Sequence, residues 1–203
     1  YKAADETYYK ILVPEKNSKG KGVRKGYLWV VVGINTRMIY LLYDDGSRSE
    51  KVILNELGGC KGIIQSDGYS PYRKLESDAY PHITRIPCLQ HIKRKFIDCG
   101  EDEPDAKRIV ELINTLYQNE HKHKIGVDGW TVEQNLVHRK KYAPDILGEI
   151  KDVLDDIEER GDLLPKSELK EAVTYLRNEW NAVVDIFNYG DTYLDNNIVE
   201  RMN

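Results

Sequence analysis

Three carboxylate side chains lie far apart along the chain in settings that suit metal-dependent chemistry. Asp67 follows the short apolar run from Gly62 to Ser66 and precedes Gly68, so we expect it at the carboxyl end of a strand. Asp5 lies on or just before another predicted strand, and Glu200 lies on a predicted helix near the last residue. If these acids converge, divalent cations must neutralise their repulsion, and carboxylate oxygens select Mg²⁺ or Mn²⁺.

Two such ions about 3.5–4 Å apart stabilise both the attacking and the leaving oxygen of a phosphodiester. Each acid also has a plain structural interpretation. Asp67 with its following glycine can simply form a turn, and Asp5 can be an exposed acid near a terminus. Asn197 and Glu200 have the spacing of a helix-capping pair. The order and settings of all three acids together favour a shared metal site.

The first hundred residues are predicted to alternate between strands and helices in a way that builds a mixed sheet. Strands are predicted at 8–13, 27–33, 38–43, 62–66 and 82–88, and helices at 48–57, 72–77 and 90–98. The basic, glycine-containing segment from Lys16 to Lys25 is predicted to be a mobile loop. A meander of strands followed by crossover helices predicts an α/β fold with helices flanking the sheet.

After residue 100 the apolar residues recur at helical spacing, which predicts helices at 106–118, 145–159 and 167–187. We interpret residues 1–100 as the first part of the catalytic core and residues 101–188 as an all-helical insertion. Residues 189–203 would return to the core, and Asp195 would open the helix that carries the third acid.

Composition limits the classes of function. The 203 residues carry a net charge of −4, and no apolar run approaches the roughly 20 residues of a membrane span. Three scattered cysteines do not make a disulfide framework, so we expect a cytoplasmic protein. The acidic total argues against tight sequence-specific DNA binding by this region. Local phosphate contacts stay open at the basic clusters 93–95 and 138–141.

Five short motifs together resemble the transposases of the insertion sequence 66 family, a bacterial group with a DDE catalytic domain. They span nearly the whole chain in the family's order. They are Ala4-Asp5-Glu6-Thr7, Gly26-Tyr27-Leu28-Trp29-Val30, Ser66-Asp67-Gly68-Tyr69 with Tyr72, Cys88-x-x-His91 before Lys93-Arg94-Lys95-Phe96, and Asp195-Asn196-Asn197-x-x-Glu200-Arg201. Gln90 and residues 8–25 depart from the family pattern, and none of them is one of the three acids.

The resemblance implies an RNase H-like fold in which Asp5, Asp67 and Glu200 are the catalytic triad and the ligands of Mg²⁺ or Mn²⁺. It implies metal-dependent cleavage and strand transfer of DNA, with transposon ends and target DNA as partners. A homo-oligomer in the active complex and accessory proteins from the same element are also expected. Two alternatives stay open: an RNase H-like nuclease that only hydrolyses, and a non-catalytic DNA-binding module descended from a transposase.

Several further side chains are candidates for accessory or DNA-binding roles. The resemblance suggests that His91 lies near the active site, and at least one of Lys93, Arg94 and Lys95 can meet a phosphate. Arg201 follows the third acid and can contact substrate or pair with an acid.

A structural zinc site is not expected. Cys88-x-x-His91 could form half of such a site with His121 and His123, but no CxxC pair accompanies it. The pattern favours Cys88 as the end of a buried strand and His91 as part of the first turn of the next helix.

Overall fold

The computed structural model describes residues 1–15, 20 and 22–200, with only the backbone described for Glu200. Five strands form one sheet in the order β3-β2-β1-β4-β5. They are β1 (Lys2–Leu12), β2 (Val23–Gly33), β3 (Met38–Leu42), β4 (Gly62–Ser66) and β5 (Ile83–Pro87). β2 runs antiparallel to both β1 and β3, whereas β1 and β4 are parallel. The sheet is therefore mixed, as its sequence predicted.

The central strands are buried on both faces because their apolar side chains alternate between two clusters. One cluster contains Ala4, Trp29 and Val31 together with Ile53 and Leu57 of helix α1 (Glu50–Leu57). The opposite cluster contains Ala3, Val30, Val32 and Val199. Burial of both faces fixes the register of β1, since a slip of one residue would exchange its two sets of side chains.

Two short elements follow β4, and one further helix lies near the end of the chain. Helix α2 (Ser70–Arg73) has Pro71 in its first turn, where a missing N–H costs nothing, and a 3-10 turn (Lys74–Glu76) continues it. Helix α7 (Asn197–Glu200) is described over four residues.

The chain divides into two compact units. We call residues 1–86 with the segment from Asn196 onward the sheet unit, and Pro87–Asp195 the helical unit. The helical unit contains α3 (Leu89–Ile97), α4 (Pro104–Glu120), α5 (Val132–Arg160) and α6 (Glu168–Ile186). Within it the Leu89 amide donates to the Leu194 carbonyl at 2.9 Å, so the chain enters and leaves this unit at one place.

Several elements differ in extent from the sequence-based expectation. β1 begins at Lys2, so Asp5 lies inside a strand. Val23–Lys25 belong to β2 rather than to the predicted loop, whose residues 16–19 and 21 lie outside the described part of the chain. Helix α5 begins at Val132 because Thr131 and Gln134 form a reciprocal capping box, and it continues through Pro144. The sequence-based prediction begins this helix only at Asp145, directly after the proline.

The compact units divide at residues 87 and 196, whereas the predicted domain limits are 101 and 189. Helix α3 falls into the helical unit because its buried side chains pack with α4 and α6. The predicted domain limits stay a prediction, since compactness alone does not define an independently folding domain. Among the described residues, no helix has both the length and the apolar character to cross a membrane.

Candidate active site

The register of the parallel β1–β4 ladder brings Asp5 and Asp67 to the same level of the sheet. Lys2 pairs with Ile64 and Ala3 pairs with Gln65, an offset of 64 − 2 = 62 residues. Asp5 and Asp67 are separated by the same offset, 67 − 5 = 62. The two acids therefore lie two residues beyond the last paired positions, on strands that run about 4.8 Å apart where they pair.

Asp67 is held in a tight turn by hydrogen bonds on both its side chain and its main chain. The Tyr69 amide donates to Asp67 Oδ1 at 3.0 Å, which fixes the carboxylate at the start of α2. Behind the turn, buried Arg85 donates from Nη2 to the Asp67 carbonyl at 2.6 Å and from Nε to Ser66 Oγ at 3.0 Å. Its Nη1 pairs with Glu76 at 2.6 Å. The orientation of Asp67 is thus set before any ligand binds.

Helix α7 packs on the face of the sheet to which Asp5 belongs. Alternation along β1 places Ala3 and Asp5 on one face. Val199 of α7 is fully buried against Ala3, Val30 and Val32 on that face. The backbone of Glu200 is the next residue of this helix. The packing of Val199 therefore brings the helix that carries the third acid to the Asp5 face, while the Glu200 side chain lies outside the described residues.

Sequence reasoning missed a fourth acid, Glu6, which follows Asp5 on β1. It lies on the opposite face of β1 from Asp5, its side chain is 4% exposed, and it pairs with Arg48 at 2.5 Å. The Tyr72 hydroxyl donates to its other oxygen at 3.4 Å. Burial raises the pKa of Glu6, with a contribution from the charge of Asp67, and this outweighs the lowering effect of Arg48 and Tyr72. The alternation of buried positions along β1 was the signal that could have identified it.

The buried Tyr72 hydroxyl is influenced by the charges of three acids. Burial is the largest cause that holds its pKa well above the usual range, followed by the negative charges of Glu6, Asp67 and Asp5 in that order. All three carboxylates thus lie within electrostatic reach of one phenol. Asp5 also accepts a hydrogen bond from the Glu6 amide at 2.9 Å.

The donor set at this edge is chemically suited to Mg²⁺ or Mn²⁺, because Asp5 and Asp67 offer carboxylate oxygens only. Among the side chains that the structure describes, no group of three His, Cys, Asp or Glu residues is arranged to hold a metal ion. Asp5 and Asp67 are two of the three residues predicted as ligands, and their ligand role stays a prediction. The third, the carboxylate of Glu200, is outside the described side chains.

The predicted accessory residues are divided between the helical unit and the undescribed end of the chain. His91 lies in the first turn of α3, where its amide bonds to the Cys88 carbonyl at 3.2 Å. Cys88 is buried, as the sequence predicted, but it follows β5 directly and is the N-cap residue of α3 rather than the last residue of the strand. Arg201 lies outside the described residues.

The basic cluster of α3 is partly engaged with aromatic rings of its own unit. Lys93 Nζ lies 6.0 Å from the Tyr117 ring centre, and Lys95 Nζ lies 5.9 Å from that of Tyr175. Arg94 is exposed on the same helix. These positions leave the predicted phosphate contacts of Lys93, Arg94 and Lys95 as a prediction.

The second basic cluster, residues 138–141, is not a uniform basic surface, because Arg139 is fully buried. Its Nε donates to Glu120 at 3.0 Å and its Nη1 donates to Thr192 Oγ1 at 2.8 Å. Arg139 therefore stabilises the interior of the helical unit. Lys140 and Lys141 are exposed and stay available to a ligand.

The strand order and the helices that follow it define an RNase H-like α/β fold. The model of the family described as "Transposase IS66 family" matches residues 1–202. The chain therefore belongs to the IS66 family of transposases, whose domain is of the DDE type.

Two uncharacterised proteins of Sinorhizobium fredii are similar to this chain. The protein y4qI is 27% identical over 213 aligned positions, which cover 98% of this chain and 37% of y4qI. The protein y4jD is 28% identical over 162 positions, which cover 76% of this chain and 30% of y4jD. The chain thus spans about a third of the length of these curated relatives.

Proposed function

We propose that this chain is the catalytic domain of a DDE transposase that cleaves the ends of a bacterial insertion sequence and joins them to target DNA. Asp5, Asp67 and Glu200 are the proposed catalytic residues. Transposon ends and target DNA are the proposed substrates. They would be bound by a homo-oligomer of the transposase, and accessory proteins encoded by the same element are proposed as further partners. The action on DNA would take place at the nucleoid.

One observation carries this proposal: the shared offset of 62 residues that brings Asp5 and Asp67 to the same level on adjacent parallel strands. The packing of Val199 supports it, since it brings the backbone of Glu200 to the Asp5 face. Family membership supports the reaction class.

The residues of this chain would hold and orient the reacting groups. Asp5 and Asp67 would bind one ion together, and Glu200 with one of the aspartates would bind a second. Bound Mg²⁺ or Mn²⁺ supplies Lewis acidity toward the phosphate and lowers the pKa of bound water. The Tyr69 amide and Arg85 hold the Asp67 turn rigid, so the carboxylate needs little reorganisation when a ligand binds.

In the first step, water would attack the phosphorus atom at the transposon end. A P–O bond to the water oxygen would form as the bond to the 3′ oxygen breaks, which leaves a protonated 3′-hydroxyl and a 5′-phosphate. In the second step, that hydroxyl would attack a target phosphodiester, so that one P–O bond forms as another breaks. The two steps use one site, because both are in-line displacements at phosphorus.

The test uses the full-length transposase that contains this chain and a labelled DNA that carries the transposon end. Asp67→Asn removes a charge with little change of shape, so Mn²⁺-dependent cleavage should fall by at least about 100-fold, the scale on which loss of one stabilising group acts in catalysis. Asp78→Asn, at an exposed position in the same unit, is the matched control and should cleave at the rate of the unaltered protein. Normal cleavage by Asp67→Asn would refute the assignment of the site.

The same reaction separates a transposase from a nuclease that only hydrolyses. A tagged 3′ end incubated with plasmid DNA should become covalently joined to the plasmid. Cleavage without any joined product would favour the hydrolytic alternative. Absence of both reactions in the unaltered full-length protein would favour a non-catalytic DNA-binding module.

A further inference from the structure

Glu6, the residue after Asp5 on β1, forms an ion pair with Arg48. Arg48 donates from both Nε and Nη2 to Glu6 Oε1, at 3.0 and 2.5 Å. The Glu6 side chain is 4% exposed, whereas that of Arg48 is 41% exposed. A buried carboxylate immediately after Asp5 is costly unless it is paired, so its presence calls for a structural or functional reason.

The guanidinium group of Arg48 is also held between two aromatic rings. Its Cζ lies 4.1 Å from the centre of the Tyr69 ring and 5.1 Å from that of Tyr27. The Tyr69 hydroxyl further donates to the Arg48 carbonyl at 3.4 Å. Tyr27 lies on β2 and Tyr69 precedes α2, so the arginine joins the sheet to the segment that follows β4.

These contacts make a continuous path between the two candidate metal ligands. Glu6 is the neighbour of Asp5 on β1, and Tyr69 donates its amide to Asp67 Oδ1. We propose that Glu6 and Arg48 are positioning residues: through the ring and amide of Tyr69 they clamp the Asp67 turn against β1, which keeps Asp5 and Asp67 at the separation that a shared cation requires.

A clamp of this kind would offset the mutual repulsion of Asp5 and Asp67. Asp5 lies inside β1 and Asp67 directly follows β4, and two like charges at the same level of adjacent strands repel each other. The β1–β4 pairing ends at Ala3 and Gln65, before either acid. Asp5 is still held by its pairing with Val30 of β2, whereas among the described residues the Asp67 turn has no such ladder to hold it beside β1. Tyr72 adds a second tie, since its hydroxyl bonds to Glu6 while its ring packs edge-on against that of Tyr69, with 6.4 Å between ring centres.

The effect of the clamp on metal binding and cleavage rests on the proposed function. Its hold on the Asp67 turn does not, and can be tested separately. In the full-length, metal-free protein, hydrogen exchange at the Tyr69 amide reports directly on the hold of the Asp67 turn. Glu6→Gln, and independently Arg48→Lys, should speed this exchange by about 5- to 30-fold, because lysine keeps the charge but cannot stack and bond as a flat fork.

Glu50→Gln is the matched control, since it makes the same chemical change in an exposed ion pair with Lys74 in the same unit. It should leave exchange at Tyr69 within twofold. Circular dichroism must show that each variant is folded, and if Glu6→Gln is not, Arg48→Lys decides the question. If Glu6→Gln or Arg48→Lys is folded and its Tyr69 amide exchanges within twofold of the rate in the unaltered protein, the proposed clamp is wrong.

The second measurement is Mn²⁺ binding, followed by electron paramagnetic resonance of the free ion. The Mn²⁺ that Asp5→Asn still binds is bound elsewhere in the full-length protein, and this background is subtracted. Glu6→Gln and Arg48→Lys should weaken the remaining binding by about 10-fold or more, as loss of groups behind metal ligands does. Cleavage by these variants should recover at saturating Mn²⁺, a response that general unfolding would not give.

The outcomes distinguish the two proposals. If Asp5→Asn loses Mn²⁺ but Glu6→Gln and Arg48→Lys bind it normally, the positioning role is wrong and the proposed active site stands. If Asp5→Asn binds as much Mn²⁺ as the unaltered protein, the proposed active site fails, and exchange at Tyr69 decides the clamp by itself.

Discussion

Replacing Arg139 with methionine is expected to destabilise the helical unit severely, although the sequence places this residue in a basic cluster. The Arg139 side chain is fully buried and donates hydrogen bonds to several acceptors. They are the carboxylate of Glu120, the carbonyls of Ile186, Tyr189 and Thr192, and the Thr192 hydroxyl. Methionine fills much of the volume but can donate to none of them.

The expected loss follows from what remains after the substitution. Glu120, whose side chain is 17% exposed, would keep its charge without its main partner, and buried carbonyls around residues 186–192 would lose their donor. Breaking a buried ion pair by removing one partner costs about 3–5 kcal/mol. That is a large part of the roughly 5–15 kcal/mol by which a domain is usually stable.

Urea unfolding of the chain, followed by circular dichroism at 222 nm, measures this loss, because the long helices α4, α5 and α6 of the helical unit dominate the signal. The matched control is Arg108→Met. Arg108 is half-exposed and bonds across to Glu149 at 2.6 Å. An exposed pair of this kind contributes about 0–1 kcal/mol, so the control should unfold near the midpoint of the unaltered chain.

A difference of less than about 1 kcal/mol between Arg139→Met and Arg108→Met would refute the reasoning, since buried and exposed arginines would then be equivalent. A large loss with normal binding of nonspecific DNA by the folded fraction would confirm that Arg139 acts in the interior. It would also show that the charge of this residue does not serve as a phosphate contact.

The remaining predictions concern pH dependence and the attachment of α7. Burial alone would raise the pKa of Glu120, but the hydrogen bond and charge of Arg139, with Tyr142 and Asn135, hold it below the usual 4.5. The stability that this pair contributes is therefore present above about pH 4.5 and is lost as pH falls through the lower folded pKa. Glu120→Gln should reduce this loss of stability at acid pH, measured by urea titrations at several pH values. Val199→Ala removes two buried methyl groups, so it should weaken the packing of α7 on the sheet by about 1.5–3 kcal/mol. Hydrogen exchange in α7 should become faster and DNA cleavage slower. A variant with normal exchange in α7 would contradict this.

Much of the sheet was predictable because local patterns specify it. The apolar run Tyr27–Gly33 could only be a buried strand, and Gly62–Ser66 ends at Asp67 as its sequence indicated. Element limits were less predictable where tertiary contacts override propensity. β1 extends to Lys2 because it pairs with β2 along eleven positions. Helix α5 continues through Pro144, and it contacts α4 on both sides of the proline, through Arg139 with Glu120 and through Glu149 with Arg108.

The candidate site shows the same division between local and tertiary information. Asp5 and Asp67 could be identified from their sequence settings, but nothing in the linear order shows that their separation of 62 residues equals the offset of the β1–β4 ladder. Glu6 was missed because a charged residue beside a candidate ligand is usually solvated. Its burial depends on Arg48 and Tyr72, which are 42 and 66 residues away.

By itself, the sequence determined the types and order of the elements, the chemical identity of the candidate ligands and the resemblance to a family, because periodicity and motifs are local properties. Only the tertiary structure decided which charges are internal and which acids share an edge. Arg139 belongs to a basic cluster in the sequence and to a buried hydrogen-bond network in the fold. The physical reason is that burial and electrostatic coupling depend on distances in space, and those distances are set by strand register and helix packing between residues far apart in the chain.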